Sequence, residues 1–219
     1  MAETKFSLGD ALQFGWNAMK DNLLYFVGVI IVAVLPSVIL SILEGLVPSL
    51  SIVWQVASFL VNIMIGIWFI KIALGMCDGV KVSFGELLSC GSLFINYAAA
   101  SIVFMILVTI GFILLIVPGI IVDIACMFFT YLIVDKNMGP IESLKKSAAI
   151  TKGARFDLFV FIIVLGIINI IGALCLGIGL FVTAPTTMVA MAYVYRQLVK
   201  EDAPSQTVQS VEDAPAEQA

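Results

Sequence analysis

"LLYFVGVIIVAVLPSVILSIL", residues 23–43, decides the class of fold. It runs for 21 residues without a charged side chain, and about 20 apolar residues are what a helix needs to cross the ~30 Å hydrocarbon core of a bilayer. The remainder of the chain has the same character. Of 219 residues, 62% are hydrophobic and only 12% are charged, with a mean hydropathy of +1.14. A soluble domain of this length cannot bury so much apolar surface, because surface-to-volume scaling leaves much of it facing water. The apolar runs also lack the alternating ten-residue pieces of a transmembrane β-barrel. An all-α, polytopic transmembrane helical bundle is therefore expected.

Six spans follow from the apolar runs: Leu23–Leu43, Ser51–Met76, Leu93–Val117, Gly119–Val134, Leu158–Leu180 and Phe181–Leu198. The fourth is short and "VTAPTTM" dilutes the start of the sixth, so a five-span chain with a re-entrant last segment stays open. "MAETKFSLGD" has no apolar core behind a basic start, which argues against a cleavable signal peptide and for a first span retained as an anchor.

The basic residues set the orientation. With six spans, all 11 Lys and Arg fall on one side, from Lys5 and Lys20 through Lys136–Arg155 to Arg196 and Lys200. The opposite connections, "EGLVPSL", "VPG" and the stretch around Gly179, contain none. Cytoplasmic enrichment of Lys and Arg then predicts that both termini are cytoplasmic. Net charge is −4, but five of the 15 acids lie in the last 19 residues, so the body is nearly neutral and nucleic acid is not an expected partner. An integral membrane domain over 1–200 and a disordered acidic tail over 201–219 ("EDAPSQTVQSVEDAPAEQA") complete the organisation.

Ahead of the first span stands "FSLGDALQFGW" (6–16), and "VSFGELLSCGS" (82–92) repeats its pattern. A shift of 76 residues aligns Ser7 with Ser83, Gly9 with Gly85 and Asp10 with Glu86. A third copy, "GPIESLKKS", begins at Gly139. The S-x-x-D/E spacing caps a helix start, and Gly139–Pro140 followed by Glu142 does so in the third copy. Apolar residues then recur at helical spacing (Leu8, Leu12, Met19; Phe84, Leu87, Leu88; Ile141, Leu144, Ala148). The expected unit is an interfacial amphipathic helix followed by a transmembrane hairpin, written three times over about 6–76, 82–136 and 139–198.

Three longer segments carry a resemblance: "FSLGDALQFGWNAMKDN", "VPGIIVDIACMFFTYLIVDKNMGPIESLKKSAAITKG" and "TAPTTMVAMAYVYRQL". Together they resemble prokaryotic six-helix integral membrane proteins of unknown function. These are the YciC-like inner-membrane proteins, related to the membrane domain fused to some glycerophosphodiester phosphodiesterases. The resemblance implies a multi-pass protein of a prokaryotic plasma (inner) membrane. It implies no activity, since the carboxylate and histidine cluster of the phosphodiesterase domain has no counterpart in this sequence.

Chemistry has few carriers. The chain contains no histidine, the commonest general base and metal ligand. Cys77, Cys90, Cys126 and Cys175 lack metal-binding spacing and read as small buried hydrophobes. Neither an enzyme nor a cofactor is expected. Charges inside the bilayer are costly and default to functional candidates. Asp123, four residues past the Pro118–Gly119 turn, is the clearest, either as a polar site within the bundle or as a carboxylate at the positive end of a helix. Asn62 and Asn169 are further intramembrane polar candidates, which interhelical hydrogen bonding also explains. Lys145, Lys146, Lys152 and Arg155 are candidates for contact with anionic lipid headgroups, or for topology alone. Small residues at Ser37, Ser41 and Gly45, and at Ala173 and Gly177, predict close helix contacts.

These readings favour a non-enzymatic membrane protein in envelope or membrane-lipid homeostasis, a scaffold or partner subunit touching membrane lipids. The alternative is a transporter or channel for a small or lipidic solute, suggested by the repeats, Pro36 and Asp123.

Overall fold

A computed structural model describes residues 5–82, 91–175, 177 and 179–212. The described residues are helical, with no strand among them: α1 (Leu8–Asp21), α2 (Leu23–Leu46), a 3-10 turn (Pro48–Leu50), α3 (Ser51–Cys77), α4 (Gly91–Leu114), α5 (Ile116–Cys126), α6 (Phe129–Lys136), α7 (Pro140–Ile150), α8 (Arg155–Leu174) and α9 (Leu180–Glu212). Among the described residues, five stretches are long and apolar enough to cross a membrane: Leu23–Leu46, Pro48–Cys77, Leu93–Leu114, Ile116–Lys136 and Arg155–Leu174.

Helix starts follow local chemistry. The Ser7 hydroxyl accepts a hydrogen bond from the Asp10 amide at 3.3 Å, satisfying one of the free donors at the start of α1. α7 begins with Gly139 as cap and Pro140 in its first turn, where a missing N–H costs nothing. The middle copy of this pattern falls mostly within 83–90, outside the described residues.

Part of the apolar face of α1 and of α7 packs on protein. Leu8 and Leu12 of α1 pack on the protein core, and Ala11, Gly15 and Met19 are buried. α1 lies along α9, its most extensive partner. A Cβ at Gly15 would overlap the Thr186 carbonyl, so glycine is what allows that approach. α7 turns Ser143, Leu144, Ser147 and Ile150 inward and leaves Ile141 exposed.

The turn expected at Pro118–Gly119 lies earlier. Leu115 is the extended residue between α4 and α5, and Pro118 is already helical. Pro36 and Pro185 also sit within helices. The fourth span is interrupted, since α5 ends at Cys126 and α6 starts at Phe129. Of the expected tail over 201–219, residues 201–212 are described as the end of α9, where Glu201 and Asp202 pair with Lys5 and Lys146, and 213–219 lie outside the described residues.

Close contacts use other small residues than the expected stripes. Ser37, Ser41, Gly45 and Ala173 are exposed. Gly111 meets Gly119, where an added Cβ would stand 2.9 Å from the facing Cα, and Gly172 abuts Gly179 and Thr183.

The largest core cluster joins Phe6 and Ala11 to Ile70, Ala73 and Leu74, to Phe128, Tyr131 and Leu132, to Ile150, Ala154, Leu158, Phe161 and Leu165, and to Ala190, Ala192, Val194, Tyr195 and Leu198. Phe128, Tyr131 and Tyr195 form a mutually packed aromatic trio with centroids 5.3–5.8 Å apart. Large apolar side chains are exposed on both sides of the three sharp connections: Leu46 and Ile52 about the first, Ile113 and Ile116 about the second, Leu174 and Leu180 about the third.

Candidate functional site

The break in the fourth span creates the first polar cluster. Ending α5 at Cys126 frees the Ala125 carbonyl, and starting α6 at Phe129 frees the Phe128 amide. Inside apolar surroundings each orphan group would cost about 1–3 kcal/mol. α7 supplies both partners. The Phe128 amide donates to Ser147 Oγ at 3.1 Å, Ser147 Oγ donates to the Ala125 carbonyl at 3.0 Å, and Thr151 Oγ1 donates to the same carbonyl at 3.1 Å. Ser147 and Thr151 are fully buried. The cluster therefore locks α7 to the interrupted helix.

A second cluster joins the ends of α3, α6 and α9. Tyr195 Oη donates to Asp135 at 2.8 Å, and Arg196 reaches Asp135 at 2.8 Å and Asp78 at 2.5 Å. Asp135 is largely covered, whereas Asp78 is half-exposed. Arg196 thus bridges two carboxylates on separate helices with charge-assisted bonds. Its geometry is that of a clamp.

The intramembrane candidates are not brought together. Asp123 is exposed on α5. Because α5 starts at Ile116, Asp123 is eight positions into the helix, beyond the first turn over which a helix end favours an anion. Asn62 is exposed on α3 and donates to the Ser58 carbonyl one turn back at 2.7 Å. Asn169 on α8 is half-buried and does bridge helices, donating to Thr187 Oγ1 on α9 at 3.2 Å and to the Leu165 carbonyl at 3.1 Å. Asn169 borders a cleft of about 360 Å³ with Tyr131, Thr187 and Met191.

The basic candidates divide. Lys145 and Lys152 are exposed. Lys146 is held by Asp202. Arg155, first residue of α8, reaches the Ala148 carbonyl at 3.5 Å and has a buried Nε without a partner. It closes one side of an apolar groove of about 390 Å³ between α5 and α8. Cys77, Cys126 and Cys175 are free thiols, and Cys90 lies outside the described residues.

The Ser147–Thr151 and Asp135–Arg196 clusters were not singled out from the sequence. The signal for the second was present: an aspartate ending "YLIVD" and an arginine ending "VYR", each closing an apolar run. Two such charges need partners, but nothing in a single sequence pairs residues 61 positions apart.

No curated protein and no solved structure matches the chain. A family model does, over residues 69–212, which takes in both clusters and the groove. On that match, the chain belongs to the family described as Domain of unknown function (DUF7847).

Proposed function

We propose that this chain is an integral protein of a prokaryotic inner membrane, crossing it six times with both termini cytoplasmic. It acts there without catalysis, as a scaffold or partner subunit in envelope or membrane-lipid homeostasis. The observation that carries the reading is where the apolar surface lies. Exposed large hydrophobics run along the apolar helices from one end (Leu24, Ile95 and Phe156) to the three sharp connections (Ile52, Ile113 and Leu174), each of these six more than 70% accessible. No Lys or Arg occurs in those connections. Lipid is the solvent that such surface requires, and the charge asymmetry assigns those tips to the outer side.

α9 supplies the sixth crossing in this reading. Its middle is less apolar than the other spans because protein surrounds it, with Val189, Ala190, Ala192, Val194 and Tyr195 all fully buried. The three units then comprise α1 with α2–α3, residues 82–92 with α4–α6, and α7 with α8–α9. Lys145, Lys152 and Arg155 face anionic headgroups on the cytoplasmic side, each charge contributing roughly 1 kcal/mol. Lys146 adds less, because Asp202 already neutralises it. The likeness of the long "VPGIIVD…SAAITKG" segment to YciC-like proteins supports the location.

Reporter fusions test the topology. Alkaline phosphatase is expected to be active when inserted at Val47, Leu115 or Gly177, and a fluorescent protein to fold when fused after Ala219. Phosphatase activity at Ala219 would remove the sixth crossing. For the role itself, a deletion strain complemented with Asp123→Asn is expected to recover envelope integrity fully. Failure of a well-folded Asp123→Asn protein, together with lost solute flux, would move the reading to transport.

A further inference from the structure

We propose that the groove between α5 and α8 seats one anionic phospholipid of the surrounding bilayer, with an acyl chain along the groove and its phosphate on Arg155. This rests on the membrane reading above and assigns a specific site within it.

The groove is walled by Ile120, Ile121 and Ile124 on α5 and by Phe156 and Phe159 on α8. Arg155 is the one side chain in its lining that carries a charge or a hydrogen-bonding group. The groove has a volume of about 390 Å³, and its apolar walls favour methylenes, whereas a strongly hydrated free anion would gain nothing from them.

Arg155 is prepared for an anion. Among the described residues no carboxylate lies within ion-pairing distance of it. Its Nη2 makes a single bond to the Ala148 carbonyl, at 3.5 Å, and its Nε is buried with no partner. A buried guanidinium N–H left unpaired carries a desolvation cost. A guanidinium turned to bring Nε and one Nη onto a phosphate oxygen pair would remove it, in the fork geometry that suits arginine and phosphate. The start of α8 points the same way. Its cap residue, Ala154, offers no side-chain acceptor to the free amides, so they and the helix dipole favour a negative group nearby. Asp157 lies in that same first turn and opposes an anion at the helix end, which leaves the guanidinium as the main source of attraction. Lys152, exposed three residues before Arg155, adds positive charge for the outer part of a headgroup.

The test uses the full chain, purified and examined by native mass spectrometry. Phosphatidylglycerol and phosphatidylcholine with identical acyl chains are offered in parallel. Wild type is expected to retain phosphatidylglycerol in preference, and Arg155→Gln to lose about tenfold of that retention, the size of one charge-assisted pair. Ile121→Trp, which fills the groove and leaves the guanidinium in place, is expected to lose a similar amount. Arg155→Lys should fall between, since the charge remains without the fork. Lys20→Gln, on α1, should match wild type. Glycerol 1-phosphate, which has the phosphate but no chain, should not displace the lipid.

Wild-type retention in folded Arg155→Gln or Ile121→Trp overturns the site. So does displacement by glycerol phosphate, which would leave a simple anion pocket, or replacement of the lipid signal by a second copy of the chain. Should Arg155→Gln fail to fold, Arg155→Lys and Ile121→Trp still decide the matter. If both retain lipid fully while Lys145→Gln/Lys152→Gln does not, the groove fails and the headgroup-binding face stands. If wild type shows no anionic preference at all, the lipid-contact part of the function reading falls with it.

Discussion

α2 and α9 invert the usual relation between hydropathy and burial. α2 is among the most apolar helices of the chain, yet Phe26, Val29 and Ala33 are its only buried residues. Beyond Ala33 it exposes Val34, Leu35, Val38, Ile39, Ile42 and Leu46. α9 falls short of the apolarity of a spanning helix, yet from Val189 to Leu198 it supplies the centre of the core. In a molecule surrounded by water the apolar helix would be inside. Here hydropathy marks the side chains that need an oily solvent, and burial marks those that need shape. Alanines and a tyrosine serve α9 because α1, α3 and α8 all pack on it, and small residues let backbones approach.

The sharpest way to break this contrast is to truncate one residue in each helix. Tyr195 is fully buried and packs on Phe128 and Tyr131. Tyr195→Ala is expected to cost about 3–5 kcal/mol from the cavity alone, and it also strips Asp135 of a donor. Leu35→Ala, on the exposed face of α2, should change thermal stability in lipid nanodiscs by a small fraction of that, since lipid refills the space. Equal losses at the two positions would mean that α2 is packed against something proteinaceous.

The second test reverses the chemistry. Leu35→Arg places a charge at the middle of α2, where insertion costs about 2.5–3.5 kcal/mol. Membrane-inserted yield should fall sharply, while the same substitution at Ile141, exposed on α7, should leave yield near wild type. A normal yield for Leu35→Arg would show that this part of α2 does not face lipid.

Between these extremes lies the interrupted fourth span. Ser147→Ala removes the acceptor of the buried Phe128 amide while Thr151 still serves the Ala125 carbonyl. A loss of about 1–3 kcal/mol is expected from one orphaned buried donor. Ser147→Ala/Thr151→Val should lose more than the sum of the singles if the carbonyl is then left unpaired. Additive, small losses would mean that water already reaches the break.

How far the sequence disclosed these features depends on the range of the interaction. α2 and α3 start where the apolar runs start, at Leu23 and Ser51, and end within three residues of the expected boundaries. Hydropathy is local, so it survives without tertiary knowledge. The break at Met127–Phe128 lies inside an unbroken apolar run and is created by hydroxyls 19–26 residues downstream, which periodicity does not register. Asp123 stood out because it is charged, but the helix begins earlier than "VPG" suggests, and its register turns the carboxylate outward. Arg155 was visible only as one of a basic group. That its Nε is buried beside an apolar groove depends on α5 meeting α8, a contact no single segment encodes.

α1 covers α9, so the stability of α1 bears on how well α9 is shielded. Ser7 caps α1 through one exposed bond to the Asp10 amide, and Ser7→Ala is expected to cost about 1 kcal/mol. Hydrogen exchange should report the loss first in residues 8–12 of α1 and next in residues 186–198 of α9, which the helix overlies. α2 should exchange as in wild type, because α1 touches it only lightly. If α2 loosened as much as α9, then α1 and α2 would be acting as one rod. The core would in that case owe its cover to the spanning helix as well as to the capped one.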